Sequence, residues 1–462
     1  MIRLDRVKLP DFGVADTLPL ISTAERIGRL ETAVDRMRKE GLGYLVIYAD
    51  REHFANISFL TGFDPRFEEA LLVLDKAGRR MLLVGNECMG YLPDEALGLQ
   101  VVLYQNFSLM GQPRDRSPSL RKALADFGIG KGAKVGVAGW KYYDAGTMED
   151  PEHAIEAPAF LVDLLRELAD GREAVRNAGA IFANPQDGLR VINSPDQIAQ
   201  FEYGACRSSM GVLAVLKAIR EGARETDLAD LLQAHGLPLS CHPVLSFGER
   251  AKRCLAGPSD NRARRGDPYI VGFGVWGSLT CRAGAVAAGP KDLAPDLGEF
   301  YAAFVANYFD CVAAWYEAVR VGATAGEVFA AVEAKRDGKL LALALNPGHY
   351  IHLDEWVHSP FARGNKVALR SGMAIQADII PVSQGPFCCS NMEDGIALAD
   401  EKLRKELAGR HTACWKRIEQ RRAFMCDALG IRLDESVLPL GNIPAYLPPY
   451  ALDLERAMVK NA

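Results

Sequence analysis

The feature that most constrains this chain is a change in the rhythm of its apolar residues between Gly188 and Ser194. Before that point short apolar runs alternate with helical spacing. Ala24 to Lys39 reads as a helix, Gly41-Leu42-Gly43 as a turn and Tyr44 to Tyr48 as a buried strand. Ala70 to Leu74, after the turn at Gly62 to Pro65, and Met81 to Val84 make two further strands. Val135-Gly136-Val137 and the helical stretch Ala159 to Leu168 continue the alternation, which implies an α/β domain. After it, Ser194 or Asn193 can cap a helix that has Pro195 in its first turn and runs to about Arg220. Further helices are expected over residues 225 to 235, Leu297 to Val319 and Ala325 to Arg336, set apart from apolar β-type segments, so the second half reads as α+β.

A chain of 462 residues is too long for one ordinary core. The expected division is an α/β domain over residues 1–180, an α+β domain over 181–430 and a tail over 431–462. That tail carries Pro439, Pro444, Pro448 and Pro449, and is expected to wrap a surface or a subunit partner.

The formal net charge is -5, without dense Lys/Arg blocks, which argues against a nucleic-acid backbone as partner. The basic run Arg262 to Arg265 is too short to alter this and reads as a solvated turn. The first residues are charged where a secretory signal would be apolar, and no stretch of about 18 apolar residues appears, so a cytoplasmic protein without a membrane partner is expected. Ten scattered cysteines without CxxC spacing read as reduced thiols. The adjacent pair Cys388-Cys389 reads as packing, with lining of a pocket as the alternative.

The densest chemistry lies in Pro347 to Pro360, where His349, His352 and His358 stand beside Asp354 and Glu355 and make up three of the eight histidines. On an extended segment His349 and His352 point to opposite faces unless the strand bulges. Two carboxylate segments follow. Asp378 sits in an apolar strand-like run, where an unpaired carboxylate would cost several kcal/mol and so requires a partner. Glu393-Asp394-Gly395 precedes another apolar run.

The order of Gly348-His349, the histidine-rich loop, Ser359-Pro360, Ser371-Gly372-Met373 with Asp378 to Pro381, and Glu393 to Asp400 resembles the creatinase, prolidase and methionine aminopeptidase superfamily, the pita-bread fold. Asn56 to Phe63 is similar to a segment of the family's N-terminal domain, Leu189 to Asp196 to its inter-domain entry helix, and Gly322 to Val328 to one of its helix starts. The resemblance spans roughly residues 20 to 425. It implies an α/β creatinase-like domain followed by an α+β pita-bread domain.

The family's metallopeptidases hold two metals on two hairpin Asp residues, one His and two Glu. By that resemblance His349 matches the ligand His and Glu393 the last Glu, with Asp378 in place of the first Glu. The hairpin departs from the pattern, since Pro268 through Lys291 contains no Asp, Glu or His. Leu255 also stands about where the family has a proton-shuttling His. A two-metal centre is therefore not expected.

Creatinase itself cleaves a C–N bond on this fold without metal. The resemblance accordingly implies a creatinase- or Xaa-Pro peptidase-like hydrolase without resident cofactor, with His349 or His352 as general base and Asp378 and Glu393 setting its tautomer and binding substrate. Arg282 is expected as a carboxylate clamp, or else as a surface residue on an edge strand. His358 is expected to line the substrate pocket. Arg66 would reach a neighbouring subunit's substrate in a creatinase-like homodimer, or else pair with Glu69 in a turn. Two alternatives remain: one divalent Zn, Mn or Fe on His349, Asp378 and Glu393, and a binding module that has lost catalysis. The substrate, whether dipeptide, guanidino acid or other small amide, is not legible in the sequence.

Overall fold

The computed structural model describes residues 1–461, and Ala462, the last residue of the expected tail, lies outside them. The chain separates into two compact units. One is Ile21–Val191, and the other combines Met1–Leu20 with the chain from Ile192 onward.

In chain order, strand β1 (Ile2–Arg6) precedes the first unit, which holds α1 (Thr23–Lys39), β2 (Tyr44–Ala49), α2 (Ala55–Thr61), β3 (Ala70–Asp75), β4 (Arg80–Val84), β5 (Gln100–Leu103), α3 (Leu120–Phe127), β6 (Val135–Ala138), α4 (Ala159–Ala169), β7 (Val175–Asn177) and α5 (Ala180–Ala183). Its six strands form one mixed sheet in the order β5-β4-β3-β2-β6-β7. Alternate residues supply two cores. Leu45, Ile47, Leu72 and Leu74 pack with Leu30, Val34 and Met37 of α1, while Val46, Tyr48, Leu71 and Val73 pack with Leu124 of α3 and Leu161 and Leu165 of α4. A sheet covered on both faces is why these strands read as unbroken apolar runs.

The second unit continues with α6 (Pro195–Ala218), α7 (Glu225–Ala229), β8 (Leu239–Phe247), β9 (Pro268–Val275), β10 (Thr280–Ala285), α8 (Pro295–Ala318), α9 (Ala325–Glu333), β11 (Leu341–Leu343), β12 (His349–Tyr350), β13 (Ala374–Asp378), β14 (Pro381–Ser383), β15 (Asn391–Leu398), α10 (Glu401–Arg410), α11 (Thr412–Ala423), β16 (Val437–Pro439) and β17 (Arg456–Lys460). Ser194 is the cap of α6: its Oγ accepts from the Gln197 N–H at 3.2 Å. Asn193 instead donates its amide to the Gly372 carbonyl at 3.0 Å. The helix expected to reach residue 235 ends at Ala229, with Asp230 as its C-cap, and the chain turns back further on through left-handed His235 and Gly236 (φ 52° and 75°).

The large sheet runs β12-β13-β15-β10-β9-β8, with β16 beside β15, and all its pairs are antiparallel. Ile198, Phe201 and Ala205 of α6 pack on Leu279, Ala374, Ala397 and Leu438. The Pro-rich tail is built into this unit and does not wrap its surface. β16 joins the sheet, β17 pairs with β1, and Leu440, Ile443, Ala445 and Leu447 are buried. Its apolar residues between the prolines account for the burial: they give the segment as much to bury as a strand has.

Candidate active site

Strand register assembles the site. β15 is central, and Glu393 lies directly opposite Asp378 on β13 and opposite Cys281 on β10, which in turn faces Gly272 on β9. Directly paired residues share a sheet face, so Asp378, Glu393, Cys281 and Gly272 form one row. Gln376, two residues before Asp378, is on the same face, and His349 of β12 is opposite Gln376. Gly395 completes the arrangement: a Cβ there would stand 2.7 Å from Gln376 Oε1, so the glycine leaves room for that amide.

His349 is fully buried. Its Nδ1 contacts the Tyr350 carbonyl at 3.2 Å, and a proton on that nitrogen leaves Nε2 to face the acids. Nε2 lies 3.3 Å from Glu393 Oε1, 3.3 Å from Glu355 Oε1 and 4.0 Å from Asp378 Oδ2. Gln376 donates to the Leu279 carbonyl at 2.7 Å and reaches Glu393 Oε1 at 3.5 Å. Glu355 arrives on a loop closed at its base by Tyr350, whose N–H donates to the His358 carbonyl at 2.7 Å and whose carbonyl accepts from the Val357 N–H at 3.0 Å. The same loop stacks Trp356 on the imidazole, with centroids 4.2 Å apart and planes 16° apart.

Three carboxyls thus converge on one imidazole. Burial, reinforced by the charge of Glu393, pushes Asp378 well above the ordinary carboxyl range. Burial and then the neighbouring Glu355 do the same to Glu393. Burial also raises Glu355, while His349 pulls it back. Ligand atoms of His349, Asp378 and Glu393 all lie within 4.8 Å of one another, a geometry compatible with one bound cation. Asp378 Oδ1 and Gln376 Oε1 are enclosed without a hydrogen-bond partner among the described residues.

The structure does not bring the other expected site residues of this unit into the cluster of His349, Asp378 and Glu393. His352 is buried with its ring edge-on to Phe201 at 5.2 Å, away from the stack that His349 makes. Arg282 is neither a clamp nor an edge residue. One step along the strand from Cys281, it occupies the opposite sheet face, fully enclosed, with donors committed to both oxygens of Asp394 and to the carbonyls of Tyr446 and Ile443. His358 is partly exposed and contributes its backbone to the loop closure just described. Arg66, in the first unit, is exposed and left-handed (φ 60°), and its guanidinium lies over the Tyr91 ring at 5.2 Å and 3.6 Å from Asp64. Glu69 instead accepts from the Tyr48 hydroxyl. Residues that sequence reasoning did not assign are Glu355, Trp356, Gln376 and Cys281. Parity along β13 and β10 was the available signal for the last two.

Beside the row lies a cavity of about 410 Å³ whose wall includes Glu393, Cys281 and Gly272. Cys388 and Cys389 both line it. Among the described residues no helix is long and apolar enough to cross a membrane.

This architecture, a six-stranded α/β unit and an antiparallel sheet backed by long helices, is that of the two-domain pita-bread proteins. No family model and no curated protein sequence matches the chain. Solved structures do. A recombinant prolidase from Thermococcus sibiricus is similar at 19% identity with a TM-score of 0.61, covering 83% of this chain and 96% of its own. An Xaa-Pro dipeptidase from Bacillus anthracis is similar at 17% identity and a TM-score of 0.59, covering 82% and 96%. A dipeptidase from Mycobacterium ulcerans is similar at 21% identity and a TM-score of 0.57, covering 84% and 95%. The fold is the one that prolidases, Xaa-Pro dipeptidases and aminopeptidase P share.

Proposed function

We propose that the second unit is a hydrolase of C–N bonds, amide or amidine, in a small molecule or dipeptide, working with at most one divalent cation. The observation that carries this reading is the convergence of Glu355, Asp378 and Glu393 on His349 Nε2 in a buried setting. Carboxyls whose proton affinities burial raises, gathered around an imidazole, are the groups that general acid–base cleavage requires.

A single cation fits the residues present. His349, Asp378 and Glu393 would hold it, and the unpartnered Asp378 Oδ1 favours that reading. A pair does not fit, because the β9–β10 hairpin offers only Gly272 and Cys281 to the row. When bound, the cation would polarise the scissile group. The chain's own residues do the rest. Gln376 orients Glu393, Trp356 shields the imidazole from water, and Glu355, the most open of the three acids at 32% side-chain exposure, holds the proton that the leaving nitrogen takes. In the metal-free form, His349 Nε2 accepts a proton from the attacking water, its tautomer set by the Tyr350 carbonyl.

The test is metal content by mass spectrometry of untagged protein, before and after Mn, Zn or Fe is added, with a turnover screen over Xaa-Pro dipeptides, guanidino acids and hydrophobic amides. About one metal per chain, lost in His349→Ala, is expected of the metal form. Turnover without metal identifies the acid–base form. About two metals would overturn the single-cation reading, and neither metal nor turnover would replace the hydrolase by a binding module.

A further inference from the structure

The cavity beside Glu393 is walled largely by carbon and sulfur. Val244, Ile270, Leu279, Ile380, Phe387 and Ala283 line it, together with five of the ten cysteines: Cys241, Cys254, Cys281, Cys388 and Cys389. Its volume of about 410 Å³ is that of a small-molecule site.

Two observations say what can enter. First, among the described residues the cavity wall holds no buried cation for an anion to meet. Lys252, its single Lys or Arg, stands exposed, 2.7 Å from Glu249 and over the Phe387 ring at 5.0 Å. Of the arginines beside lining residues in sequence, Arg282 is spent on Asp394 on the other sheet face and Arg250 on Glu225, while Arg253 stands exposed and is not part of the wall. Second, Ser390 lines the cavity at 2% exposure, and its hydroxyl has no hydrogen-bond partner among the described residues. A buried hydroxyl left unmade costs free energy that a ligand's polar group recovers.

We infer that this cavity receives an uncharged, hydrophobic portion of the substrate with one hydrogen-bonding group facing Ser390, so that the molecule acted upon is a hydrophobic amide or amidine and not a dipeptide with a free carboxylate. This rests on the hydrolase reading, and it differs from the dipeptide substrates named for the solved relatives. A carboxylate pushed into the cavity would lose its hydration without gaining a buried ion pair.

Binding of inert probes tests this apart from catalysis. 4-Phenylbutan-1-ol, which has no bond to hydrolyse, is titrated calorimetrically against 4-phenylbutyrate and butane-1,4-diol. The alcohol is expected to bind at least tenfold more tightly than either. Cys389→Trp, on a partly exposed part of the wall, and Val244→Phe, in the core, should each weaken it at least tenfold, and Ser390→Ala severalfold, with unchanged melting temperatures for Cys389→Trp and Ser390→Ala. Equal or tighter binding of the carboxylate, no binding of the alcohol, or affinity that survives Cys389→Trp would overturn the inference. Failure of the hydrolase reading would show separately, as probe binding without turnover of any amide.

Discussion

Arg282 and Asp394 meet as an enclosed ion pair across β10 and β15, with Arg282 Nη2 at 3.0 and 2.9 Å from the two carboxylate oxygens. Burial raises the Asp394 carboxyl, and the guanidinium pulls it back. The Ala445 N–H, two tail carbonyls and the Cys281 carbonyl satisfy the remaining sites of the pair, so it ties the tail to the sheet. Removing one partner strands the other charge. Arg282→Met is expected to cost about 3–5 kcal/mol in urea unfolding. Arg282→Lys should also fail, since an ammonium cannot reproduce the fork. A raised KM at unchanged stability would restore the clamp role.

Cation binding should appear as stability. At a concentration one hundred times Kd, a bound metal adds about 2.7 kcal/mol, and Asp378→Asn or Glu393→Gln should abolish that gain in thermal melts. Because burial already disfavours the Asp378 charge, metal-free Asp378→Asn is expected to be more stable than the parent by about 0.5–2 kcal/mol. A metal shift that persists in both variants would place the cation elsewhere.

Much of this was legible from residue order. The α/β alternation up to residue 169 and the long helices after Ser194 stand where the spacing predicts them, since amphipathic and fully buried patterns are local properties. His349, Asp378 and Glu393 converge as the resemblance implies. Register was not legible. Whether Glu393 or Asp394 faces the histidine depends on a one-residue choice of strand parity, and the same choice turns Arg282 away from the site. Glu355 could not be placed because its position depends on how the loop from Tyr350 to His358 closes, which is a tertiary matter. The burial of the tail was not legible because its prolines mask the apolar residues between them.

Glu202, 1% exposed, is held by Arg417 at 2.7 Å and by Arg421 at 2.7 Å. Burial works against its charge, yet Arg421 and Arg417 outweigh burial and lower its pKa. A carboxyl lowered in the folded state contributes stability that is fully present above its unfolded value, near 4.5, and is lost as pH falls through the folded value. Glu202→Gln should therefore cost several kcal/mol at pH 7, and the gap from the parent should narrow steadily below pH 4.5. A gap independent of pH would mean that shape, not charge, holds this contact.

The turn between β9 and β10 joins the hairpin to the histidine loop. Trp276 and Gly277 both have positive φ, 47° and 72°, and the Ser278 N–H donates to the Val275 carbonyl at 3.1 Å, the mirror-image turn that suits twisted strands. A Cβ on Gly277 would meet the His352 carbonyl at 2.5 Å and Phe201 Cε1 at 2.6 Å. Gly277→Ala therefore combines a disfavoured backbone, about 1–2 kcal/mol, with an overlap of about 1–3 kcal/mol. The backbone at His352 can yield by moving the loop, and that loop carries Glu355 and Trp356 to His349. Turnover should then fall more steeply than stability, with the loss in kcat. If stability falls while kcat per folded molecule is retained, the loop is positioned by Tyr350 and His358 alone, and the hairpin turn has no part in placing Glu355.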